Sequence, residues 1–218
     1  MNKEYKDWTL LRQYANRYTW FRNWGIRDRL KQLAKHSKGK TLDIGWYQVP
    51  NIFLKNAVGL DVIVPKTLPQ QYSKAYKLNL KDIYKYPFKD SSFDSVLAGE
   101  VIEHVPNLDA FMKEINRILK KGGVFVISTP NPASPVEIAV HLFKWIFGID
   151  YDQGKKGEHV HEFLFTNMIT LMNIYGFKVK KIRGTYIQIP GTLIQIPINI
   201  QPLTYCTIYI AKKISEPK

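Results

Sequence analysis

Cysteine is nearly absent from this 218-residue chain: Cys206 stands alone. No intrachain disulfide can form, and a zinc site built on the usual cysteine spacings is excluded. A chain without disulfides suits a reducing compartment, so a cytoplasmic protein is expected. Acidic residues are scarce too, 18 against 32 Lys and Arg, for a formal net charge of +14. Such an imbalance favours anionic partners, whether nucleic acid, an acidic lipid surface or a phosphorylated compound; its bland counterpart is a lysine-rich solvated surface. No run of 18 apolar residues occurs, so no membrane-spanning helix is expected. The first residues, Met1 to Asp7, are polar, and no secretory leader is expected there.

What is present is ample apolar material, 45% of the residues, enough for one sizeable domain with a real core. Residues 3 to 37 have helical spacing, with Gly25 dividing them into two helices. Short apolar runs follow as strands: Thr41 to Gly45, Ala57 to Val62, a weaker one from Lys74 to Leu80, and Ser92 to Ala98. The segment between Gly45 and Gly59 leaves room for a helix of only one or two turns. Asn107 to Lys120 is amphipathic, with Asn107 as its cap and Lys120-Lys121-Gly122-Gly123 as its stop. Val124 to Ser128 is apolar enough for a strand buried on both faces. Strands alternating with helices predict a parallel sheet with right-handed crossovers. Beyond Thr129 lie an apolar segment from Val136 to Phe147, a helix from Thr166 to Tyr175 stopped by Gly176, and two closing strands, Phe177 to Tyr186 and Tyr205 to Lys212, expected to be antiparallel.

The chemistry lies in an ordered set of strand ends. Strand one ends Leu42-Asp43-Ile44-Gly45, strand two ends Gly59-Leu60-Asp61, and strand four runs through Phe93-Asp94-Ser95-Val96-Leu97-Ala98-Gly99-Glu100 into Val101-Ile102-Glu103-His104-Val105. Ligands of open α/β sheets bind over the carboxyl ends of the strands, a glycine there admits the ligand's approach, and an acid ending strand two can accept both hydroxyls of a ribose. This set resembles the class I S-adenosylmethionine-dependent methyltransferase family, in its small-molecule, lipid and glycan methyltransferase branch. The resemblance covers about residues 40 to 130 and is most specific from Pro87 to Gly123. It implies an α/β, Rossmann-like, doubly wound and mostly parallel seven-stranded sheet, with helices on both faces and an antiparallel closing strand. It implies S-adenosylmethionine as cofactor, with Asp61 and the adjoining Val62 at the ribose, Gly45 beside the methionine part, and Asn79 and Leu80 by the adenine. Ala98 and Gly99 offer backbone contacts, while Asp43 and Glu100 bring negative charge toward the sulfonium and ammonium. The domain is expected to fill residues 1–218: N-terminal helices at 1–38, a cofactor-binding core at 40–130, lid and acceptor-binding insertions at 131–203, and a closing strand at 204–213. The chain departs from the family where Trp46, Tyr47 and Gln48 replace further glycines, and where Asn79 stands in place of an acid.

A base is useful when a hydroxyl is methylated. His104 is the first candidate, against a turn-stabilising role; His159, which shares one side with His161 in an extended stretch, is the second. His36 and His141 read as helix-surface residues. No metal site is expected, since too few further ligands can be assembled around His159 and His161. These readings converge on O-methylation of a small-molecule, lipid-linked or glycan-linked acceptor. Two rivals stand beside it. The charge suggests an RNA methyltransferase, although Gly99-Glu100-Val101-Ile102 occupies the place of the Asn/Asp-Pro-Pro-aromatic run that base methylation uses. The altered loop at Trp46 suggests a non-catalytic binding module. Val136 to Phe147, apolar on nearly all sides, is expected either to pack within the fold as a lid or to touch an acidic membrane peripherally, at its inner face.

Overall fold

The computed structural model describes residues 24–79, 85–148, 159–188, 195–196 and 200–217. The expected helix before Trp24 and the end of the third strand at Leu80 lie outside the described residues. The ordered elements are α1 (Trp24–His36), β1 (Thr41–Ile44), β2 (Ala57–Asp61), β3 (Tyr72–Lys77), β4 (Phe93–Gly99), a 3-10 turn (Ile102–His104) and α2 (Leu108–Ile118). They continue with β5 (Leu119–Pro130), α3 (Pro135–Ile146), α4 (Phe165–Ile174), β6 (Phe177–Gly184), the short strands β7 (Ile187–Gln188) and β8 (Gln195–Ile196), a second 3-10 turn (Gln201–Leu203) and β9 (Cys206–Lys213).

Seven strands form one sheet in the order β3-β2-β1-β4-β5-β9-β6. The first five are parallel, and β9 runs antiparallel to both β5 and β6. From β1 the chain works outward to β3, then returns to the centre as β4. The strand order therefore reverses between β1 and β4, the place where open α/β sheets bind ligands.

Alternation along the central strands builds two cores. Val96, Ala98, Phe125, Ile127, Tyr209 and Ala211 face one side, covered by Phe111, Met112 and Ile115 of α2 and by Met168 and Met172 of α4. Leu97, Val126, Ile208 and Ile210 face the other, covered by Leu33 of α1 and by Trp46. A buried strand with two apolar faces has no solvent side, which is why β4 and β5 read as continuous apolar runs. Helix α2 starts where Asn107 accepts the Ala110 amide at 3.0 Å.

Two expectations need correction. Helix α2 stops at Ile118, and Lys120-Lys121-Gly122-Gly123 belong to β5 rather than to a helix end. Phe93 pairs with Leu119 and Ser95 with Val124, so these residues form a bulge that Gly122, at φ 76°, makes possible. The segment after Gly45 holds turns but no helix, because Trp46 is drawn into the core instead. The apolar helix α3, capped by Ser134 and opened by Pro135, buries none of its side chains.

Candidate active site

The carboxyl ends of β1 and β4 frame a pocket walled by Gly45, Gln48 and Asn51 on one side and by Gly99, Glu100 and His104 on the other. Gly45 takes φ 71°, and a Cβ there would come within 2.5 Å of Val101 Cγ2. Only glycine lets the chain turn this tightly at the rim. Trp46 turns inward from the loop. It lines the pocket, but its ring is 1% exposed, packed against Gly59 and tilted over Tyr72 with ring centroids 4.4 Å apart. Of the residues that replace the family's glycines, Trp46 and Tyr47 are thus buried and Gln48 stays exposed on the pocket wall.

Asp61 closes β2 beside this loop. Its Oδ2 accepts the Tyr47 amide at 2.9 Å and its Oδ1 accepts the Ile63 amide at 3.1 Å. Burial raises its pKa, while the amides of Tyr47, Ile63 and Val62 oppose the rise. Each carboxylate oxygen keeps capacity for another donor. The exposed Val62 adjoins it, and the Leu78 amide donates to the Asp61 carbonyl at 2.7 Å, which carries Asn79 to the same edge. Leu80 lies outside the described residues. Ala98 is fully buried in β4, opposite Ile44.

Asp43 and Glu100 bring less free charge than expected. Asp43 is buried, accepts the Tyr72 hydroxyl at 2.6 Å, and burial pushes its pKa up to about 7. Glu100 sits in the left-handed region at φ 57°. Its Oε1 lies 3.3 Å from Nη1 of the buried Arg29 and accepts from Ser128 Oγ at 3.1 Å and Cys206 Sγ at 3.3 Å. Helix α1 therefore contributes a cation, Arg29, to the wall of the pocket.

A second pocket opens over the end of β5, walled by Thr129, Glu103, His159 and His161, and by Glu137 and His141 of α3. His141 is thus a pocket residue, correcting the helix-surface assignment: one turn separates it from Glu137, so both point the same way. His104 connects the two pockets, since it lines the first and its ring meets that of His159 edge-on at 4.9 Å. The amides of Val160 and His161 donate to the Glu103 carbonyl at 2.8 and 3.2 Å, which ties the two histidine segments together. Glu103 is 1% exposed; burial first, and then the charge of Glu100, raise its pKa to about 8.

Arg29, Tyr72, Glu103 and His141 were not singled out by the sequence. Arg29 falls among other cations of a helix, and Tyr72 precedes a weak strand. Glu103 alone carried a signal, as the neighbour of His104 after strand four.

The parallel order with the antiparallel β9, and a pocket at the β1/β4 reversal, define a Rossmann-like methyltransferase fold. A family model described as "Methyltransferase domain" matches residues 47–127. A sterol 4-C-methyltransferase of Caenorhabditis elegans is 47% identical over 51 residues, covering 23% of this chain and 15% of that protein. A demethylmenaquinone methyltransferase of Lactobacillus johnsonii is 36% identical over 78 residues, covering 35% and 32%. The chain thus spans a third or less of the length of these relatives. Among solved structures, a methyltransferase of Thermotoga maritima described as a possible histamine N-methyltransferase superposes with a TM-score of 0.62 at 19% identity, over 96% of this chain and 95% of that one. An S-adenosylmethionine-dependent methyltransferase of Archaeoglobus fulgidus gives 0.59 at 20% identity, over 94% and 100%. The chain has the fold of the class I S-adenosylmethionine-dependent methyltransferase family, and the methyltransferase-domain match covers its strand-end segment. S-adenosylmethionine is the cofactor of that family.

Proposed function

We propose that this protein transfers the methyl group of S-adenosylmethionine to an oxygen of a small, lipid-linked or glycan-linked acceptor. The observation that carries the reading is the position of His104, on the wall of the strand-end pocket and against His159 in the second one.

The first pocket suits the cofactor: Gly45 leaves the rim open, Asp61 retains acceptor capacity for the ribose hydroxyls, and Val62 and Asn79 border the same edge. The ion pair of Arg29 and Glu100 sets the polarity at the methionine end. When bound, the cofactor supplies an activated methyl group on a positively charged sulfur. His104 or His159 would take the acceptor hydroxyl's proton at an imidazole nitrogen, and the pocket walls would hold that oxygen in line with the methyl carbon.

An apolar acceptor is favoured by α3. Its Glu137 and His141 turn toward the second pocket while Phe143, Trp145 and Phe147 are more than half exposed. Two relatives are named for sterol and demethylmenaquinone, both greasy molecules. Among the described residues no helix is long and apolar enough to cross a membrane. Peripheral contact through α3, assisted by the chain's net positive charge, is the proposed route of entry.

The reading is tested with purified protein and methyl-labelled cofactor. Binding by calorimetry, followed by label appearing in an extracted lipid or small-molecule fraction, is the expected result. Absence of cofactor binding by the folded protein would reject it in favour of a non-catalytic module. Label transferred to RNA would reject the acceptor class.

A further inference from the structure

The junction of the two pockets holds more ligand atoms than a general base requires. We propose that Glu103, His104 and His159 bind one divalent transition-metal ion, zinc or a metal of similar preference. One carboxylate oxygen and one nitrogen from each imidazole all lie within 4.8 Å of one another. Two imidazoles and one carboxylate make up a donor set of catalytic zinc sites, and a three-residue set leaves a coordination position for water or substrate.

An independent observation concerns Glu103. Its side chain is 1% exposed, lines the second pocket, and neither of its carboxylate oxygens has a hydrogen-bond partner of good geometry among the described residues. Buried carboxylate oxygens without donors are rare in folded proteins, and an ion is one of the few partners that relieves them. Nε2 of His161, on the wall of the same pocket, is likewise buried without a partner among the described residues.

The backbone presets the ligands. Glu103 and His104 share the 3-10 turn after β4, and the amides next to His159 are bound to the Glu103 carbonyl. Metal–ligand distances near 2 Å require the three atoms to draw together, and the exposed imidazoles have room to swing toward the fixed Glu103. The open coordination position would face the acceptor pocket. A hydroxyl oxygen bound there loses its proton to solvent more readily, so the two histidines would act on the acceptor through the ion. The catalytic part of this inference rests on the methyltransferase reading; the binding of the ion does not.

The test uses the full chain, stripped with a chelator and titrated with zinc by calorimetry in the absence of cofactor and acceptor. Cobalt, titrated separately, reports coordination through its visible absorption. One equivalent of zinc per chain is expected, together with a zinc-dependent rise in melting temperature. His159→Ala, at an exposed position, should weaken binding more than about tenfold. Glu103→Gln should do the same, and His36→Ala, outside the site, should not. Absence of stoichiometric binding, or stoichiometric binding that His159→Ala retains in full, would overturn the proposal. Methyl transfer that persists in a protein binding no metal would overturn the ion and leave the methyltransferase reading standing.

Discussion

The hydroxyl of Tyr72 donates to Oδ2 of Asp43 at 2.6 Å and accepts the Asn51 amide at 3.0 Å. One phenol thereby joins the centre of the sheet to the loop that rims the strand-end pocket. Burial holds the Asp43 carboxyl at a pKa of about 7, against an ordinary 3.8. The folded state keeps this proton more tightly than the unfolded state does. Between about pH 4 and pH 7 the stability contributed by Asp43 is therefore lost as pH rises, by at most about 1.4 kcal/mol per pH unit. Asp43→Asn should gain on the natural protein between about pH 4 and pH 7 in denaturant unfolding. Parallel pH profiles for the two proteins would refute a buried, proton-holding Asp43.

Asp61 anchors the amides of Tyr47 and Ile63, and the proposed ribose contact has to be separated from that structural role. Asp61→Asn keeps one acceptor oxygen in place. Cofactor affinity should fall by about 1.5–3 kcal/mol, the value of a hydrogen bond to a charged group. Calorimetry on a folded variant with unchanged affinity would remove Asp61 from the ribose.

His104→Ala should lower turnover by about two to four orders of magnitude, with a much smaller change in cofactor affinity. Steady-state kinetics with saturating cofactor distinguish this from a loosened pocket, which would raise KM instead. Full activity in the variant would transfer the role to His159.

Arg29 is buried and paired with Glu100 at 3.3 Å. Arg29→Met leaves the carboxylate without its cation in a mostly enclosed site. A loss of about 3–5 kcal/mol is expected, typical of breaking a buried pair from one side. Chemical denaturation that shows less than about 1 kcal/mol would mean that Glu100 finds another partner.

Trp145 and Phe147 are 76% and 64% exposed on α3. Trp145→Asp and Phe147→Asp should therefore leave the melting temperature nearly unchanged, since exposed substitutions usually stay within about 0.5 kcal/mol. Both should weaken salt-sensitive flotation with acidic liposomes. A sharp fall in melting temperature would show instead that these rings pack against protein.

Local order was legible in the sequence wherever one residue type or one period decides the outcome. Gly45 and Asp61 end their strands because a tight turn and an edge carboxylate are local demands. Asn107 starts a helix because its side chain reaches an amide three residues on. The two-faced apolar runs of β4 and β5 announce a buried parallel sheet, since no solvent face is left for polar residues. Tertiary structure alone decided which distant groups meet. Lys120 to Gly123 reads as a helix stop, yet pairing with β4 makes it a bulge, because the register of a neighbouring strand overrides the local signal. Trp46 reads as a departure in a loop and is drawn into the core, because Gly59 leaves space for its ring. Arg29 against Glu100, and Glu103 with His104 against His159, are joined across long stretches of chain, and no spacing encodes a contact made only when the sheet brings its strand ends to one edge.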